Sequence, residues 1–162
     1  ADNGVIHIVD AVITLPSVVT FAAADAATFS ELVGALTRAD QPDYVSVLTT
    51  ANGTAPAPFT VFAPTNQAFA DLYAELGVAG IDDVDGAILT ATLNTHVVAG
   101  ANVRAEDLVT GTVATLGDAV EIDATTAIIT DPNGRTSQVI VTNVQAANGV
   151  IHAIDTVLLP QL

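Results

Sequence analysis

The segment FTVFAPTNQAF occupies residues 59–69 and combines a strand with a helix that follows it directly. The strand must end at Pro64, because proline has no N–H to donate to a neighbouring strand. Thr65 is then placed to cap the first turn of a helix, whose apolar side includes Phe69. Phe62 and Phe69 are the largest apolar side chains nearby, so we expect them to anchor strand and helix to one core.

Helical patterns flank this segment up to about residue 95. Ser17 is placed to cap a short apolar helix, and Thr28 and Glu31 have the spacing of a capping box. Apolar residues then recur at spacings of three and four, which is typical of an amphipathic helix. Asp85 is placed to begin the last helix before His96.

Beyond residue 98 the chain changes to short runs rich in Val, Ile and Thr. They lie at about 112–116, 119–123, 126–130, 137–144 and 150–159. Gly117-Asp118 and the sequence DPNG at residues 131–134 are typical of the hairpin turns that separate such strands. A helix-rich first half and a strand-rich second half indicate an α+β domain.

The pentapeptide NGVIH occurs twice, at Asn3–His7 and Asn148–His152. A repeat separated by one domain length predicts a tandem array of similar domains. We therefore expect residues 1–16 to be a terminal strand or linker left from a preceding repeat, and residues 17–162 to form the domain. Since the domain has one position for such a strand, the C-terminal copy should fill it and the N-terminal copy should lie outside the sheet.

The composition excludes several classes of function. The 162 residues contain no Cys, so neither a disulfide nor a thiolate metal site can form. Eighteen acidic residues stand against three Arg and no Lys, which gives a net charge of −15. This charge repels nucleic acids and anionic membranes, and no apolar stretch approaches the roughly 18 residues of a membrane span. Two interpretations of the charge stay open: solubility in a salty medium, and attraction for cations or basic partners.

The sequence gives little support for metal binding or for catalysis. His152 and Asp155 are three residues apart and point to opposite faces of a strand, so structural hydrogen bonding is favoured over a shared metal ion. Asp82, Asp83 and Asp85 resemble the middle of a calcium loop, but Ile81 and Thr92 stand where that loop needs acids. A helix start explains these acids, although weak calcium bridging stays open.

No serine lies in a nucleophile elbow, the turn that presents the nucleophile of many serine hydrolases. We predict no catalytic residue, no metal site and no cofactor, and therefore a protein that is not an enzyme.

Two segments resemble the paired signatures of the fasciclin I domain family, and a third resembles its middle motif. They are FTVFAPTNQAF at residues 59–69, NGVIHAIDTVLLP at residues 148–160 and LNTHVVAG at residues 93–100. We expect an architectural role for the following signature residues: Phe62, Pro64, Thr65, Phe69, Asn148, Gly149, His152 and Asp155. The resemblance covers residues 17–160 and implies a wedge-shaped β-sandwich with helices packed along one side.

The resemblance also implies a function. Fasciclin domains are extracellular modules, found in tandem, that serve cell adhesion, and bacterial relatives are secreted or surface-held. We therefore expect a bacterial module at the cell surface or outside the cell. Its expected partners are other cell-surface or matrix proteins, or surface carbohydrate. The alternative is a carbohydrate- or small-ligand-binding domain. The isolated domain should be a monomer, with strand exchange as a route to a dimer.

The middle motif supplies the candidate binding residues Thr95, His96, Val97 and Val98. In the family a Tyr usually precedes this His, and in animal members the pair and its aliphatic neighbours are linked to integrin binding. Thr95 replaces that Tyr here, so an integrin-type site is not expected to transfer. A competing interpretation makes His96 a histidine at the edge of the core that donates to a backbone carbonyl.

Overall fold

The computed structural model describes residues 3–5, 7, 8, 10 and 14–161. The described helices are α1 (Val18–Ala24), α2 (Ala26–Thr37), α3 (Tyr44–Leu48), α4 (Asn66–Leu76) and α5 (Gly86–Thr95). The described strands are β1 (Phe59–Pro64), β2 (Val97–Ala99), β3 (Gly111–Val113), β4 (Val120–Asp123), β5 (Ile128–Thr130), β6 (Thr136–Ala146) and β7 (Gly149–Ile154). The α+β class is confirmed. None of the described helices combines the length and apolar character that crossing a membrane requires.

The strands form one sheet in the order β2-β1-β7-β6-β5-β4-β3. β7 is central: it pairs in parallel with β1 and antiparallel with β6, and all six of its residues are buried. The C-terminal copy of the repeated pentapeptide therefore occupies the predicted strand position. In the N-terminal copy, Val5 is 80% exposed and Ile8, just beyond the pentapeptide, is 98% exposed, whereas Ile6 lies outside the described residues.

The sheet changes direction along β6. The first residues of β6, up to Gln138, pair with β5, and those from Val139 onward pair with β7. Register shifts follow, between Val139 and Val141 and between Val141 and Val144. Such irregularities bend a strand and increase its twist. The two halves of the sheet consequently face each other, which gives the sandwich that the family resemblance implies.

Two apolar clusters lie on opposite sides of β1, and the prediction that Phe62 and Phe69 share one core is wrong. Phe69 packs in the cluster between the helices and the sheet, together with Phe59 and Val61. Phe62 packs in the cluster between the two halves of the sheet, with residues such as Ile129. The reason is the two-residue period of a strand, which turns Phe62 away from the face that carries its neighbours in sequence.

The start of α2 also differs from the prediction. The helix begins at Ala26, before Thr28, and its backbone leaves helical geometry at Phe29 (φ −126°, ψ 16°). The N–H of Glu31, freed at this break, donates to the Asn66 side chain (2.9 Å). The predicted capping box is thus replaced by a cap that comes from the first residue of α4.

The last predicted strand is shorter than expected, because the ladder of β7 ends at Ile154. The N–H of Asp155 still donates to the Gln138 carbonyl of β6 (3.2 Å), but from Thr156 onward side chains accept the backbone N–H groups. The N–H of Leu158 donates to His96 (3.0 Å), and the N–H of Leu159 donates to Asp131 (3.0 Å). Both leucines stay buried without pairing to a strand.

Candidate functional site

The residues of the middle motif lie inside the molecule. Thr95 ends α5 and its hydroxyl donates to the Ala91 carbonyl (2.9 Å), while Val97 and Val98 belong to β2. All four candidate binding residues are buried, and His96 is only 3% exposed. A surface partner has no access to them in this conformation, and their role in binding stays an untested prediction.

The geometry of His96 matches the competing interpretation, in which it is a histidine at the edge of the core that donates to a backbone carbonyl. Its Nε2 accepts the N–H of Leu158 (3.0 Å), so the ring proton lies on Nδ1 and is donated to the Thr92 carbonyl (2.7 Å). Burial lowers the pKa of His96 to about 4, against the opposing effects of the Thr92 hydrogen bond and the charge of Asp131. A neutral His96 therefore ties the segment after β7 to α5.

Asn148 and Gly149 of the second signature have structural roles. The Asn148 side chain accepts the N–H of Val18 (3.0 Å) and donates to the carbonyls of Leu48 and Thr50 (2.8 Å each). Gly149 lies so close to Phe59 of β1 that a Cβ at this position would stand 2.2 Å from the Phe59 carbonyl oxygen. The first residue of β7 must therefore be glycine, which has no Cβ.

Pro64 and Thr65 of the first signature act as the sequence predicts. Pro64 is the last residue of β1, and the Thr65 hydroxyl accepts the N–H of Ala68 (3.3 Å) at the start of α4. Asp85 similarly caps α5 by accepting the N–H groups of Ala87 and Ile88. Local capping rules thus place both helices correctly.

His152 and Asp155 point to different surroundings. The Nε2–H of His152 faces the carbonyl of Val103 (3.0 Å), and its Nδ1 is buried without a hydrogen-bond partner among the described residues. Burial lowers the pKa of His152, opposed by that carbonyl and by the charge of Glu106. Asp155 instead accepts the N–H of Gln138 (2.8 Å) at the surface. Across the described part of the chain, no three His, Asp or Glu residues are grouped as a metal site would require.

Asp131 is a structural residue that the sequence did not single out. Its buried carboxylate accepts the N–H groups of Asn133, Arg135 and Leu159, each within about 3.0 Å. The turn sequence DPNG accounts for the two local contacts, those with Asn133 and Arg135. The contact with Leu159 depends on a segment 28 residues away, for which the sequence carries no signal.

The charged surface is acidic, and each of its three arginines is already engaged. The three arginines each contact a carboxylate: Arg38 with Asp40 (2.6 Å), Arg104 with Glu106 (3.3 Å) and Arg135 with Glu75 (2.7 Å). Since the sequence has no Lys, no further Lys or Arg side chain is left to pair with the other acidic groups.

On the described surface, a cleft of about 310 Å³ lies beside Arg38 and Pro42 and has largely polar walls. Two other clefts, each with a volume of about 260 Å³, have more apolar walls. The first, called the α1–β6 groove below, lies between the junction of α1 with α2 and the irregular part of β6. Its walls include Phe21, Asp25, Phe29, Ile140 and Val141. The second cleft lies between the two halves of the sheet, beside β3, and is more polar.

Comparison with known proteins identifies the family. The model of the fasciclin domain matches residues 27–160. The protein sll1735 of Synechocystis is 34% identical over 146 residues, which cover 90% of this chain and 98% of that relative. The cell surface glycolipoprotein MPB83 of Mycobacterium bovis is 35% identical over 146 residues, covering 88% of this chain and 60% of MPB83. A fasciclin-like arabinogalactan protein of Arthroderma benhamiae is 32% identical over 163 residues, covering 98% of this chain and 34% of that protein.

A solved structure shows the same fold. The domain pair of the insect cell adhesion molecule Fasciclin I superposes with a TM-score of 0.68 at 18% identity, covering 93% of this chain and 52% of the pair. At this identity the likeness speaks for the fold alone. The sequence matches, which cover most of the chain and include both signature segments, make the protein a member of the fasciclin domain family.

Proposed function

We propose that this domain is a non-enzymatic adhesion module that works outside the cell or at its surface and binds another surface or matrix protein. The observation that carries the proposal is its relation, over 88% of its length, to a cell surface glycolipoprotein. The role of the buried polar side chains supports it. His96, Asn148 and Asp131 all bond to the framework of the fold, which leaves the surface for recognition.

We also propose that the domain is one unit of a tandem array. The support is the pentapeptide NGVIH, which returns after one domain length. β7, which begins within the second copy, takes an inner position in the sheet between β1 and β6, and the described residues of the first copy are exposed. The full sequence of the parent protein tests this proposal: it should contain further fasciclin domains, and a parent with a single such domain would refute it.

Adhesion can be measured with fluorescent beads that carry the purified domain. The beads are applied to cells of the source organism in three states: untreated, stripped of surface proteins by protease, or treated with periodate, which destroys the diols of sugars. We expect adhesion to untreated cells and its loss after protease treatment. Control beads carry the Gly149→Ala variant, which has the same charge but is less stable, because its Cβ has no room beside Phe59. The assay is run at a temperature at which the native domain is folded and this variant is unfolded.

The outcomes separate the adhesion hypothesis from its alternative. Loss of adhesion after periodate treatment, with resistance to protease, would favour the carbohydrate-binding domain. The cleft beside β3, which carries the hydroxyls of Thr110 and Thr112 at its wall, is where such a ligand would be sought. Equal binding by native and Gly149→Ala beads would mean that the folded domain is not what adheres.

A further inference from the structure

The α1–β6 groove exists because both of its walls depart from regular structure. On one side the chain passes from α1 to α2 through Asp25, and the helix breaks again at Phe29. On the other side β6 shifts register around Val141. These departures leave Ile140 and Val141 51% and 48% exposed in the middle of a strand. The groove therefore presents branched apolar side chains to solvent.

A carboxylate without a partner lies at the edge of this apolar surface. Asp25 is half-buried and occupies the cap position of α2, but its side chain makes no capping hydrogen bond. Among the described residues no donor contacts this carboxylate, and its backbone N–H is used by the Ala22 carbonyl. The arginines of the chain are paired elsewhere, so none of them neutralises Asp25. A half-buried carboxylate next to apolar walls favours a cation that brings its own apolar surface.

The size of the groove indicates what kind of molecule fits it. Its volume of about 260 Å³ is below the roughly 300–1,000 Å³ typical of small-molecule sites. A groove of this size suits one or two side chains, the usual anchors of a protein–protein contact. The net charge of −15 acts in the same direction, because it steers basic partners toward the surface.

We propose that the α1–β6 groove docks a protein segment in which an aromatic or aliphatic side chain is flanked by Lys or Arg. The apolar side chain fills the groove between Phe29 and Val141, and the cation pairs with Asp25. This proposal rests on the proposed function, since it names the place and the chemistry of the partner contact.

Defined peptides test the proposal directly on the folded domain. The probe is acetylated and amidated Gly-Lys-Phe-Leu-Lys-Gly, titrated into 15N-labelled protein while the amide resonances are recorded. Two matched peptides replace both Lys by Glu, or both apolar residues by Ser. We expect only the first peptide to shift the resonances of Asp25, Thr28, Val141 and Ala153, which line the groove. Its affinity should fall as NaCl is raised from about 0.05 to 0.3 M.

Two pairs of variants locate the contact. Asp25→Asn removes the charge, and Asp82→Asn makes the same change at an exposed acid outside the groove. Ile140→Thr shortens a groove side chain while keeping the branched Cβ that a strand favours. Ile88→Thr is its control on α5, where Ile88 is 40% exposed. We expect the first member of each pair to weaken the peptide about fivefold and the second to leave its affinity unchanged. Unfolding midpoints show whether each variant is folded.

The results that would overturn the proposal are distinct from failure of the proposed function. Equal binding of the Glu peptide, shifts confined to another face, or unchanged affinity in Asp25→Asn would refute the docking site. Phenethylamine, a small amine with an aromatic ring, is titrated into the same protein for comparison. Binding as tight as that of the peptide would assign the groove to a small amine instead. Beads that carry Asp25→Asn and still adhere as native beads do would refute the site but leave adhesion standing. Native beads that fail to adhere would refute the proposed function, whatever the peptides do.

Discussion

Asn148 joins three segments of the chain through one side-chain amide. Its Oδ1 accepts the first N–H of α1, and its Nδ2 donates to the carbonyls of Leu48 and Thr50 at the end of α3. Asn148 is buried, as are its hydrogen bonds with Val18 and Leu48. We expect Asn148→Ala to lower the free energy of unfolding by about 2–4 kcal/mol, because buried polar groups lose their partners. Urea unfolding measures this loss.

The control for this prediction is an asparagine with weaker contacts. Asn102 is exposed and is contacted by Gln145 at 3.5 Å. Asn102→Ala should change the free energy of unfolding by less than about 0.5 kcal/mol. Similar losses in the two variants would show that the amide of Asn148 does not have the structural role described.

His96 makes a prediction about pH. Its pKa of about 4 in the folded state lies below the value near 6.5 of an unfolded histidine. As the pH falls below about 6.5, His96 is protonated in the unfolded chain but stays neutral in the folded protein. The native state therefore loses stability relative to the unfolded state. The loss is complete near pH 4 and amounts to about 3 kcal/mol. His152, whose pKa burial also lowers, acts in the same direction.

Nuclear magnetic resonance separates this effect from the titration of the many carboxylates. The ring resonances of His96 should stay in the neutral form down to pH 5, and the proton should remain on Nδ1. A midpoint near 6.5 for His96 would contradict its burial between Thr92 and Leu158.

At the level of single residues, the sequence predicted local contacts and missed distant ones. Thr65 and Asp85 cap helices that begin immediately after them, so a local rule was sufficient. Asn66 and Asn148 act on backbone groups 35 and 130 residues away. No spacing within the sequence encodes such contacts. For His96, the competing interpretation predicted the hydrogen bond to a backbone carbonyl. The contact with the N–H of Leu158 was missed, because that segment is 62 residues away.

The pairing of β1 with β7 depends on a glycine at one end of the ladder. Phe59 pairs with Gly149, and a Cβ at residue 149 would overlap the Phe59 carbonyl. A shift of β7 would disturb its contacts with β6 as well. We expect Gly149→Ala to lower the free energy of unfolding by about 3 kcal/mol or more, as overpacking against backbone does.

Gly34 provides the matched control within a helix. It lies in α2, and a Cβ built there meets no atom within 4 Å. Gly34→Ala should therefore raise the free energy of unfolding by about 0.5–1 kcal/mol, because alanine favours the helix. Thermal unfolding of both variants checks the pair, and a loss of stability in each would argue against the close approach at Gly149 as the cause.

The elements themselves were largely predictable, whereas their packing was not. Alternation of Val, Ile and Thr indicated the strands, and turn sequences such as that around Gly134 marked their ends. The bend of β6 could not be read from the same residues. It is set by register shifts around Val141 that only pairing with β7 defines. The assignment of Phe62 to a second core depends on that bend, because the bend brings the other half of the sheet over it.

For the whole molecule, the net charge of −15 predicts that salt stabilises the fold. Repulsion among acidic side chains destabilises the compact state, and added ions screen it. Most of the gain should occur between about 0.01 and 0.15 M NaCl, over which the Debye length falls from about 30 to 8 Å. The melting temperature measures the gain. A melting temperature that stays constant over this range, or that rises only above it, would contradict self-repulsion as the cause.

The central place of β7 also governs how the protein is made. Phe59 pairs with Gly149, so β1 leaves the ribosome about 90 residues before its partner does. At 5–20 residues per second this delay lasts roughly 5–18 s, during which one edge of β1 stays open to chaperones or to other nascent chains. Arrest-peptide experiments should register folding force only after β7 has passed the exit tunnel. Translation of this module is thus nearly complete before its sheet can close.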